Sequence, residues 1–137
     1  MTGIFDKADI TVTSPFQVNM GDEIPCEVTV TPQCQAKLRK IEVGLFCKET
    51  GISRGTSDSY YRKDVYTDNR EAIGETTLMP GIPVTIKEAF SLPTLSAPTY
   101  NGKNHMVNWE LRVRLDVPWW PDTRYTKEII VSNVVAK

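Results

Sequence analysis

The residues that could do chemistry gather in "VNWELRVRLDVPWWPD", Val107 to Asp122, where three carboxylates and two arginines precede or flank a tryptophan pair. Glu110, Asp116 and Asp122 invite acid–base catalysis, which needs two carboxyl groups held a few Å apart in different environments. Their spacing argues otherwise. On a strand, Glu110 and Asp116 share a face but stand three side-chain repeats apart, roughly 20 Å. Arg112 and Arg114 lie between them, so the row reads as a solvated face of balanced charge.

The other reactive types are no better assembled. Cys26, Cys34 and Cys47 form no CxxC pair and His105 stands alone, which leaves zinc without a ligand set. Cys26 and Cys47 fall on apolar strand faces, where a thiol behaves as a small hydrophobe; Cys34 in "PQCQ" reads as a loop thiol. Three is an odd number for a disulfide framework, so reduced thiols are expected. No serine or cysteine sits in a nucleophile motif that His105 could serve, and no glycine run has the GxGxxG or GxxxxGK form that cradles phosphates. The expectation is a protein that is not an enzyme and that has no metal and no cofactor.

Trp119 and Trp120 carry the remaining functional signal. Adjacent side chains on an extended chain point to opposite sides, so only one is easily buried. An exposed tryptophan in a Pro-bounded corner could anchor a protein partner or stack on a sugar, and it could equally plug the end of a β-sandwich.

The elements that position these residues have the strand period. "EIPCEVTV" puts Ile24, Cys26, Val28 and Val30 on one face, and "KLRKIEVGLFCKE" does the same with Ile41, Val43, Leu45 and Cys47. The Gly-rich "TGISRGTS" should end the second of these. Ile10 and Val12 mark an earlier strand, and Gly21-Asp22 a turn. A Pro-Gly turn precedes Val84 and Ile86, after which Phe90 and Leu92 should reach the core. From Ser57 to Thr77 the chain is polar, with "SYYRKDVY" as its one strand-like run, and a mobile or edge region is expected there. "TLSAPTYNGKN" reads as a surface connection. The longest alternation runs from Val107 to Val117, closed by Pro118 and Pro121, and Tyr125, Lys127, Ile129 and Val131 share the face of a last strand, though Ile130 leaves the side of that strand open. No segment shows a helical stripe. The pattern predicts an all-β, immunoglobulin-like antiparallel β-sandwich of seven to eight strands, a single domain over residues 1–137.

Composition agrees with a folded domain: 40% of residues are hydrophobic and 24% charged. Sixteen Lys and Arg against seventeen Asp and Glu, with no basic cluster, make nucleic acid an unexpected partner. No leader-like or membrane-length apolar run occurs, so a soluble, cytoplasmic chain without membrane insertion is expected.

With its strands in order, the sequence resembles the arrestin-like family of β-sandwiches, including the single-chain bacterial sporulation-control proteins and the retromer subunit of that fold. "FQVNMGDEIPCEVTV" is similar to the family's opening strand pair with its Gly-Asp turn. "KLRKIEVGLFCKE" looks like the strand that closes the first sheet. The segment from "GIPVTIKEAFSLP" to "VNWELRVRLDVPWWPDTRYTKEIIV" resembles a Pro-ended strand, a loop, a long strand with an "LDVP" corner and the last strand. The resemblance implies a non-enzymatic adaptor or scaffold that binds other proteins through loops and sheet edges. Arrestins proper resemble two such sandwiches in tandem, whereas this chain has length for one, and a homodimer could supply the second. The family's phosphate-reading lysines match no residue here. Expected partner contacts are Trp119, Trp120 and the edge carrying Tyr60, Tyr61 and Tyr66. The alternative is an immunoglobulin-like ligand-binding or accessory module, for carbohydrate, that uses the same tryptophans.

Overall fold

Alternation in the sequence becomes two facing layers. The computed structural model describes residues 8–53, 59–93, 98–118 and 123–132. Along the chain the strands are β1 (Ala8–Thr13), β2 (Gln17–Asn19), β3 (Glu23–Pro32), β4 (Ala36–Leu38), β5 (Lys40–Ser53) and β6 (Ser59–Ile73). They continue as β7 (Thr76–Leu78), β8 (Val84–Ser91), β9 (Tyr100–Asn101), β10 (His105–Asp116) and β11 (Thr123–Ser132). Seven of these run six residues or more, which matches the expected number of principal strands; β2, β4, β7 and β9 are two or three residues each. Among the described residues there is no helix long and apolar enough to cross a membrane.

The smaller sheet has the order β1-β3-β8 and is antiparallel throughout. The larger has the order β2-β11-β10-β5-β6, with β9 added beside the start of β10, and its β2-β11 pair is parallel. A two-stranded ribbon, β4-β7, buries Leu38 and Leu78 beside them. The core lies between the sheets. Ile24, Val28, Val30 and Phe90 from one side meet Ile41, Val43, Leu45, Trp109, Leu111 and Ile129 from the other, all at 0 or 1% exposure. Burial of such alternating faces is what fixes strand register, since a one-residue slip would turn the whole apolar set outward.

Pro15 lies between the first two strands, so that β1 pairs in the small sheet and β2 in the large one. Lys127 of β11 fastens this crossing by donating to the carbonyl oxygens of Val12 and Ser14 at 3.4 and 3.1 Å. The two glycines expected in turns have the backbone for it: Gly21 has φ 86° and Gly81 φ 75°, values that side chains disfavour.

"TGISRGTS" ends its strand as expected, with β5 running past Gly51 to Ser53 and pairing there with the start of β6. Other sequence expectations need correction. The polar stretch after Ser57 is an edge, as one of its two readings has it, but the strand runs fifteen residues, well past "SYYRKDVY". Tyr100 and Asn101 of the supposed surface connection pair with Val107 and Met106. The ambiguity at the last strand resolves with Ile129 and Val131 buried and Ile130 half exposed.

Candidate functional site

The outer face of the large sheet is built on a missing side chain. Cross-strand register sets Arg112 of β10 opposite Gly44 of β5, with Glu110 opposite Phe46 and Arg114 opposite Glu42. Above Gly44 the space belongs to its neighbours: a Cβ there would lie 2.6 Å from both Phe46 Cε1 and Asn69 Oδ1. The Arg112 guanidinium stacks over the Phe46 ring at 4.0 Å. It donates to Glu110 Oε2 at 2.7 Å and, through both terminal nitrogens, to the Asp64 carboxylate at 3.0 and 2.8 Å. Lys48 reaches the other Glu110 oxygen at 3.3 Å.

Glu110 therefore does not belong to a solvated face, as its alternation suggested. It is 3% exposed and lies under Arg112 and Lys48. Arg114 in turn holds Glu42, to which Asn69 also donates at 2.7 Å. Hydrogen bonding from Arg112 holds the Asp64 carboxyl below its ordinary range. Burial pushes Glu42 up, but the bonds and charges of Arg114, Asn69 and Lys40 outweigh it and the net direction is down. Glu42, Asp64 and Glu110 are each paired with a cation, so the network ties β6, β5 and β10 together.

The thiols are unreactive where buried. Burial pushes both Cys26 and Cys47 up to about 11, which leaves little thiolate at neutral pH. Among the described residues no three His, Cys, Asp or Glu side chains are grouped as a metal would require.

A different surface forms where β5, β6 and the β9–β10 turn run together. Thr50 pairs with Arg62 on one side and Met106 on the other, which puts these three side chains on the outer face; Tyr60 stands opposite Ile52 on the same face. With Lys103 from the turn they line a cleft of about 440 Å³. Tyr61 covers the opposite face of the β5–β6 pair, its ring so close to Gly51 that a Cβ there would sit 2.5 Å from the phenol oxygen. The Thr50 hydroxyl oxygen is buried and has no hydrogen-bond partner among the described residues, an arrangement that costs about 1–3 kcal/mol.

The structure separates the predicted contact residues. Tyr60 is 82% exposed and lines the cleft, whereas the Tyr61 ring lies over Gly51 on the opposite face. Tyr66 follows a register shift at Cys47/Lys48 and turns inward, its ring 5.5 Å from that of Trp109, so its side chain packs against the core. Trp119 and Trp120 lie outside the described residues, as does Asp122. Arg62, Lys103, Met106 and Thr50 were not singled out from sequence. The "YYRK" run hinted at the first of them, but the cleft draws on strands distant in the chain.

No protein-family model and no curated protein matches this sequence. Among solved structures the fold is similar to that of Spo0M, the sporulation control protein from Bacillus subtilis, with a TM-score of 0.72 and 19% identity over 91% of this chain. The match covers 49% of Spo0M, so this chain spans about half the length of that protein. The two-layer all-β architecture is thus an arrestin-like sandwich.

Proposed function

We propose that the chain is a non-enzymatic adaptor or scaffold that binds other proteins in the cytoplasm, by strand addition along β6. One observation carries this reading. β6 is the terminal strand of the large sheet, paired with β5 alone among the described residues, and its first seven residues, Ser59 to Val65, are all exposed. An edge of unpaired backbone groups is a template for another chain's strand. Arg62, Lys63 and Asp64 on that edge discourage indiscriminate pairing and favour a partner of matching charge.

The arrestin-like fold supports the reading, since the family resemblance implies adaptor work, and the name of Spo0M is that of a control protein rather than an enzyme. Tyr60 and Tyr61 are the proposed contacts on the edge, with Trp119 and Trp120 as a second contact. The same edge on two copies would give a homodimer.

A photo-crosslinking residue in place of Tyr60, used in extract of the native source, tests the proposal. The covalent adducts should be lost when Val65→Lys is added, because a lysine on an exposed edge position blocks strand pairing while leaving the fold's melting temperature unchanged. Adducts that persist undiminished in the folded variant would move the contact off this edge.

A further inference from the structure

We infer that the cleft beside Tyr60 selects the partner and that it takes an acidic, extended peptide segment. This rests on the edge-binding reading above and names the chemistry that would be read there. Elsewhere on the outer face Lys48, Arg112 and Arg114 each hold a carboxylate, and the exposed Arg124 lies opposite Arg114, well along β10 from Met106; Lys63 and Arg70 of β6 are paired as well. Arg62 and Lys103, on opposite sides of the cleft, have no carboxylate within ion-pair distance among the described residues. Arg62 acts on Asp64 only through space, as one of several cations that hold that carboxyl low, so the recess keeps two exposed positive side chains and with them a preference for anions.

The shape of the recess restricts which anion fits. Between the two cations lie Ile52, the exposed Met106 and the ring of Tyr60, so the ligand must carry apolar as well as acidic groups. The β6 edge starts at the same place, and side chains on one face of a strand recur every second residue. A strand laid along β6 would set alternate side chains beside Tyr60 and Arg62, where cross-strand pairing favours an apolar residue and a carboxylate in alternation with a polar filler. A basic segment would meet Arg62 and Lys103 as like charges.

The test is selection from a display library of random twelve-residue peptides, with the intact chain as bait and the charge-reversed R62E/K103E double variant alongside. Both side chains are exposed, so the variant should melt like the wild type. The expected result is enrichment by the wild type of an Asp or Glu two residues from an apolar side chain. Binding of the selected peptides should fall at least tenfold in the double variant, which should itself enrich Lys and Arg. Peptides that depend on Val65 but show no acidic bias and bind the double variant equally would overturn this inference and leave the edge-binding reading intact. Recovery of no peptide by the wild type would overturn both. A wild-type dimer in solution that R62E/K103E dissociates would overturn the inference by making a second copy of the chain the occupant.

Discussion

Asp64 shows how one side chain sets a pH dependence. Its carboxylate accepts two bonds from Arg112, and hydrogen bonding holds its pKa below the ordinary value; Glu42 is also held low, by Arg114, Asn69 and Lys40 against its burial. Groups depressed in the folded state bind fewer protons there than in the unfolded chain, so they stabilise the fold above the unfolded values, roughly pH 4–4.5. That stability is lost as the pH falls through the folded values. Asp64 is more than a third exposed, and screening limits its share to under about 1 kcal/mol. Urea midpoints at pH 6 and pH 3 should therefore drop for the wild type and drop less for Asp64→Asn. Parallel losses in the two proteins would show that Asp64 is not one of the titrating groups.

At the scale of elements, Arg70 joins two strands that share no backbone hydrogen bonds. It sits on β6 in the large sheet, yet its guanidinium lies 4.3 Å over the Phe90 ring and donates to Ala89 O at 2.9 Å and Glu88 at 3.1 Å, all on β8 of the small one. Asp68 braces it at 3.0 Å. Arg70→Met keeps much of the packing and removes these bonds, for an expected loss of about 1–3 kcal/mol in denaturant unfolding. Tyr60→Ala, at an exposed site, should change stability by less than about 0.5 kcal/mol. Equal effects from the two substitutions would refute the latch. The sequence alone disclosed neither this latch nor the burial of Glu110. Alternation marks β3 and β10 because one face of each is wholly apolar, and Gly21 and Gly81 mark turns because their backbone demands them. Arg70, Glu110 and Tyr66 depend instead on cross-strand partners, and a bulge such as that at Cys47/Lys48 reverses which residues face inward without any local signal. For the same reason the exposed Tyr60 and the core-facing Tyr66 look alike in a linear reading, while Arg62 and Lys103 meet only in the folded sheet.

Over the whole molecule, the sandwich and the ribbon that the start of β6 forms with the end of β5 should differ in stability. Leu45 and Cys47 of β5 and Trp109, Leu111 and Val113 of β10 lie in central strands, flanked by neighbours on both sides and covered by the small sheet. Ser59 to Val65 have a neighbour on one side and no buried side chain. Opening free energies follow buried contacts and backbone pairing, so hydrogen exchange should be slowest at Leu45 and Leu111 and faster by a hundredfold or more across Ser59 to Val65. This gradient bears on function. A strand that recruits another strand gains most from the new ladder where its own side of the sheet is least secured, and the selected acidic peptide should slow exchange in Ser59 to Val65 while leaving Leu45 and Leu111 at their original rates. Uniform slow exchange along β6 without ligand would mean that the ribbon is as secure as the core, and that strand addition there has no soft edge to complete.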